Sequence, residues 1–208
     1  MNEYKVEKEV IERNKELVER YPFLLPRNVW TDKVIPDYDY EFTEYDNIAT
    51  GWRIAFGELL LEDLRDALVK TDYLDKFRFT QIKEKYGSLR LYCNGAPEEV
   101  YDVLQKYEFI SEYICIKCGS YHACIVDDYG WYLPLCKECW DNSNKWREEN
   151  GYKVISYEEV VGKSTHGLPD NYTIRRYSMG KTEIIVYDIS DTTQKIREAY
   201  ETRKEIRC

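Results

Sequence analysis

Residues 115–140 read CIKCGSYHACIVDDYGWYLPLCKECW and hold five of the chain's seven cysteines. Cys115 and Cys118 form one C-x2-C and Cys136 and Cys139 a second, with 17 residues between the pairs. That spacing suits a tetrahedral zinc site, because each C-x2-C bends into a knuckle that offers two thiolates to one point. Gly119 lets the first knuckle turn with its amides toward sulfur. A disulfide framework would need an oxidising compartment and a core-poor chain, and this chain has no secretion signal. A catalytic dithiol would call for a single C-x2-C beside a βαβ unit. In a zinc deaminase a glutamate would follow the histidine ligand at two positions, but His122 is followed by Ala123 and Cys124. Four thiolates also leave the metal no open position for water, so the expected zinc is structural.

Between the knuckles, residues 121–134 read as a hairpin with its tip at Asp128 to Gly130, and a helix opens at Trp140. The order resembles a treble-clef or zinc-ribbon finger, a module that serves nucleic-acid binding, protein binding and scaffolding alike. His122 and Cys124 are spare ligand candidates that the two cleaner pairs make redundant.

Upstream, residues 2–20 place Val6, Val10, Leu17 and Tyr21 near one helical face before Pro22 stops the helix. Pro22, Pro26 and Pro36 then break the chain into an extended arm or long loop. From Gly51 the spacing of Trp52, Phe56, Leu60, Leu64 and Leu68, widened by Leu59 and Ala67, predicts an amphipathic helix. Residues 75–93 predict a hairpin turning at Gly87, and Pro97 opens a helix whose buried side is Val100, Val103, Leu104 and Tyr107. Beyond the finger, a helix ends at Gly151, and a second hairpin turns at Met179 and Gly180 with Ile184, Ile185 and Val186 as a buried run. A short charged helix capped by Asp191 closes the chain. The expected fold is α+β, with amphipathic helices packed on β-hairpins and an inserted finger. Its parts are residues 1–50 (helix and acidic arm), 51–112 (helix-hairpin-helix core), 113–151 (finger) and 152–208 (hairpin and helix).

Thirty Lys and Arg against 39 Asp and Glu leave a formal charge of −9, the wrong sign for a protein that holds nucleic acid mainly through phosphates. The imbalance sits in residues 1–50, with 12 acids against 7 bases, and the arm's Asp37, Asp39, Glu41, Glu44 and Asp46 have no base among them. Those acids, interleaved with Tyr38, Tyr40 and Tyr45, suit a basic groove on a partner protein, and the plainer reading is a solvated loop. Lys83, Lys85 and Arg90 on the first hairpin would suit phosphate if they share a face, a pattern that strand alternation also produces without function. Arg175 and Arg176 on the second hairpin carry the same ambiguity. No phosphate loop, nucleophile elbow or histidine metal helix is present, and only His122 and His166 are histidine bases, so nothing asks for an enzyme. No apolar run reaches the roughly 18 residues of a membrane span, which predicts a soluble, cytoplasmic protein.

Taken together, YPFLLPRN, GWRIAFG, QIKEKYGSLRLY and the paired C-x2-C motifs, across about residues 21–140, resemble an uncharacterised family of small phage and prophage proteins. That resemblance implies a phage accessory protein working in the host cytoplasm. Such genes often encode inhibitors of host enzymes, including CRISPR nucleases and other defence systems, so a host protein is the expected partner and nucleic acid the alternative.

Overall fold

The computed structural model describes residues 7–28, 30–161, 167–178 and 181–207, with side chains 175–181 and 206–207 excepted. The apolar stripe that begins at Trp52 forms the central helix, but in three pieces. A first turn α2 (Thr50–Trp52) passes through a π-helical stretch (Arg53–Gly57) into α3 (Glu58–Lys70). The wider π turn keeps both Trp52 and Phe56 fully buried while Leu60, Leu64 and Leu68 continue the stripe below them. The first hairpin pairs β1 (Phe79–Lys85) with β2 (Ser88–Cys93), turning at Tyr86 and Gly87, both with positive φ. A type I′ turn requires that geometry, so the glycine was the visible half of its signal. Helix α4 (Glu98–Ser111) lies across α3 and β2 and buries Val100, Leu104, Tyr107 and Ile110, whereas Val103 is only partly covered.

Helix α1 (Lys8–Arg20) forms as its periodicity predicts, with Leu17 partly covered and Tyr21 buried; Val6 lies outside the described residues. The segment expected to be an arm is in part core. Short 3-10 turns at Pro22–Leu24 and Glu44–Asn47 insert Phe23, Leu24 and Tyr45 among the helices, with Ile48 beside them. Phe23 packs edge-on against Phe77 and Phe79 at the start of β1. Between these turns, residues 27–34 form a loop closed by a bridge between Arg27 and Val34, and the following stretch lies against α1, where the buried Asn14 side chain donates to the Tyr40 carbonyl at 2.7 Å.

The finger comprises β3 (Cys124–Asp128), β4 (Trp131–Leu135) and α5 (Lys137–Glu149), with the hairpin turning at Tyr129 and Gly130. Gly151, at φ 74°, ends α5 with its amide on the Glu148 carbonyl, the expected glycine cap. A separate apolar cluster fills the finger and reaches past residue 151 to Tyr157 and Val161 on the short helix α6 (Tyr157–Val161).

The second hairpin pairs β5 (Asn171–Ser178) with β6 (Lys181–Asp188); the expected turn at Met179 and Gly180 lies outside the described residues. Its proposed buried run needs correction, since Ile184 and Val186 are 63% and 64% exposed. A two-stranded ribbon covers one face only, and here that face carries Tyr172, which stacks on Phe109 and Tyr187. The last helix, α7 (Ser190–Arg207), runs 18 residues rather than being short. Asp188, not Asp191, accepts the Ser190 amide at its start, while Asp191 pairs with Lys195 one turn on. Buried Ile196 and Thr193 hold α7 to the body, and Lys106 joins Asp63 on α3 at 2.5 Å to Thr192 at 3.2 Å. Among the described residues no helix is long and apolar enough to cross a membrane.

Candidate metal centre and partner surfaces

Two backbone knuckles bring the four expected cysteines together. The ligand atoms of Cys115, Cys118, Cys136 and Cys139 lie within 4.8 Å of one another, with Cys115 and Cys136 buried. Gly119, at φ 76°, turns the first knuckle and returns its amide to the Cys115 carbonyl at 2.9 Å. Amides also point at sulfur, from Cys118 and Cys136 toward Cys115, from Ser120 toward Cys118, and from Cys139 toward Cys136. Hydrogen bonds from the Cys118 and Cys136 thiols hold the Cys115 thiol far below its usual range, and the Cys115 thiolate correspondingly pushes Cys136 upward. The set favours one negative sulfur by itself, and four thiolates so close together need a cation to neutralise them. The donor set and the amide cradle therefore fit a structural metal ion.

Of the spare candidates, Cys124 is buried one strand away against Tyr157, whose hydroxyl donates to the Leu135 carbonyl at 2.8 Å. The His122 ring lies 4.0 Å from that of Tyr121, tilted at 42°, with Tyr200 edge-on to it. Neither joins the ligand cluster. His166 and the side chains of Arg175 and Arg176 lie outside the described residues.

The first knuckle is also welded to the body. The Gly51 amide donates to the Ile116 carbonyl at 2.9 Å, and the Ile116 amide donates to Pro134 in β4. Trp52 donates its indole N–H to the carbonyls of Ser111 and Ile114, the link between α4 and Cys115. The metal centre thus sits at a junction between the finger and the central helix.

The five arm acids separate into two groups. Asp46, with only 16% of its side chain exposed, accepts from Arg13 at 2.7 Å, Arg53 at 2.8 Å and both the amide and hydroxyl of Thr43. Glu44 accepts from Asn47, and burial raises its carboxyl above the ordinary range. Asp37, Asp39 and Glu41 remain exposed. On the first hairpin the register does bring the three bases together, with Lys83 opposite Arg90 and Lys85 two residues along. Lys83 and Lys85 stand over the rings of Tyr92 and Tyr86, while Arg90 lies 3.6 Å from Glu108. Tryptophans 30, 131 and 146 are exposed, and sequence reading missed them as surface features because nothing local marks which aromatics stay uncovered.

No family model, no curated protein and no solved structure matches this chain.

Proposed function

We propose that the chain is a zinc-stabilised binding protein that docks its exposed acidic arm on a basic surface of another protein. The observation that carries this reading is the exposure of Asp37, Asp39 and Glu41 on a segment fixed to the body by the Asn14 bond to the Tyr40 carbonyl and by the 3-10 turn that buries Tyr45. Complementary charge of this kind steers association and selects partners. The ion we assign to the four cysteines is zinc, in a treble-clef-like finger, since a closed four-thiolate tetrahedron organises a fold and leaves no site for chemistry. The resemblance to phage proteins makes a host nucleic-acid-handling enzyme, such as a defence nuclease, the partner to test first.

A second reading, a nucleic-acid-binding regulator, has one observation in its favour, the shared face of Lys83, Lys85 and Arg90 flanked by Tyr86 and Tyr92. Against it stand Glu108 and Glu112 beside Arg90 and the net charge of −9.

The test compares two variants that spare the internal ion pairs, Asp37→Asn/Asp39→Asn/Glu41→Gln and Lys83→Gln/Lys85→Gln. Each is titrated with the partner protein and, by gel shift, with DNA and RNA near physiological salt. The acidic triple variant should weaken partner binding about tenfold, more at low salt, and the basic variant should leave it unchanged. Nucleic-acid binding lost in the basic variant alone, with a salt slope reduced by about one for each contact, would establish the second reading. Elemental analysis should return one zinc per chain, and iron or an empty, oxidised site would overturn that assignment.

A further inference from the structure

Trp30 is 91% exposed, although it lies only three residues from the bridged Arg27. A single exposed aromatic needs no explanation by itself. This one is held on a turn with little freedom. The Asn28 side chain accepts the amides of Trp30 and Thr31, both at 3.0 Å, and its carbonyl accepts the Asp32 amide at 2.8 Å. The Asn28 amide donates to the Lys33 carbonyl, and Arg27 donates from Nη1 to the Asp32 carbonyl at 2.8 Å. Asp32 has φ 53° and its carboxylate lies 3.8 Å from Arg78, the residue just before β1. The turn is therefore tied both across its own base and to the first hairpin.

Next along the chain, Val34 and Ile35 are also exposed, extending the apolar patch. Along the same segment the exposed charges are Asp32, Asp37, Asp39 and Glu41 against Lys33 alone. We infer that Trp30 is the anchor of the arm, inserting into an apolar slot bordered by lysine and arginine on a partner protein. This rests on the protein-binding reading above and names the kind of surface it requires. Interface hot spots favour tryptophan in a desolvated pocket, and a turn whose backbone is already tied before contact reduces the ordering cost of binding. The acids specify the rim. They repel phosphate and anionic lipid, and a second copy of this chain would bring the same acidic arm to meet them.

The probe is the full chain with p-benzoylphenylalanine at position 30, or separately at the exposed finger position 131, photolysed in lysate of cells where the chain is naturally made. The captured protein is then purified and titrated with the unlabelled chain. We expect position 30 to capture a protein, with the attachment mapping to a Lys/Arg-bordered apolar site. Trp30→Ala should weaken its binding about 30-fold, and Trp30→Phe less. Metal content and melting of both variants should match the wild type, which excludes a folding defect. Capture from position 131 but not 30, capture of a second copy alone, or a Trp30→Ala effect below about threefold would overturn this inference and leave protein binding standing. Capture of nucleic acid at position 30, or of no protein from either position, would overturn both.

Discussion

Gly51 stands where no side chain fits. A Cβ there would fall well inside 3.0 Å of the Cys115 carbonyl oxygen and 2.6 Å from the Ile116 carbonyl carbon, both rigid backbone. The Gly51→Ala variant should therefore lose about 3 kcal/mol or more and part of its metal, read by chemical denaturation and zinc content. Cys124→Ala is expected to keep the metal and cost about 1 kcal/mol of packing, because Cys124 lines the finger core without joining the thiol cluster. Cys115→Ser and Cys136→Ser should lose the ion outright. Zinc loss at Cys124→Ala equal to that at Cys115→Ser would show a different ligand set. Asp46→Asn should cost about 2 kcal/mol by weakening its bonds to Arg13 and Arg53, a structural effect that any test of the acidic arm must keep separate.

At the scale of elements, the first knuckle belongs to two bodies at once. It closes the finger through Cys115 and Cys118, and it accepts the Gly51 amide of α2 through Ile116. Structural zinc in small fingers contributes an apparent folding free energy of roughly 10–16 kcal/mol, so chelation should unfold β3, β4 and α5. The loss should also reach α2, where Trp52 hydrogen-bonds to the segment leading into Cys115. A chelator titration with far-UV circular dichroism and tryptophan fluorescence should show both changes together. Trp52 emission that stays unaltered after metal removal, while that of Trp140 in α5 changes, would mean that the two bodies are uncoupled.

For the whole molecule, acid acts on two sets of groups with opposite sign. Thiolates must stay deprotonated to hold the ion, so lowering the pH releases metal and stability. Burial instead raises Glu44, Glu108 and Glu112, which bind protons more tightly folded than unfolded. Their penalty is absent below the ordinary carboxylate value of 4.5 and grows as pH rises through the folded values. Acid unfolding should accordingly coincide with zinc release. Glu112→Gln should raise stability at neutral pH by about 0.5 kcal/mol, a small gain because the group is partly solvated. Equilibrium denaturation at neutral pH checks the second effect, and a metal indicator followed against ellipticity during acid titration checks the first.

Much of this was legible along the chain because it is local. The C-x2-C spacing singles out four cysteines whatever surrounds them, the Trp52-to-Leu68 period describes a helix face, and Gly87 and Gly151 supply backbone angles that few residues adopt. Local periodicity says which residues are apolar, but not which of them a neighbour covers. Ile184 and Val186 look like a core strand and face outward, because nothing among the described residues lies over that side of a two-stranded ribbon. The acids from Asp37 to Asp46 form one charged run in sequence, yet Arg13 and Arg53, brought from two different helical segments, draw Asp46 inward and leave Asp37 in solvent. Trp30 and Trp52 are the same residue type, one almost wholly exposed and the other buried beneath the metal knuckle. Sequence alone determined which four cysteines come together and where the periodic elements lie, since both depend on short spacings. Tertiary structure decided which charges and aromatics remain available to a partner, since availability depends on what long-range packing has already covered.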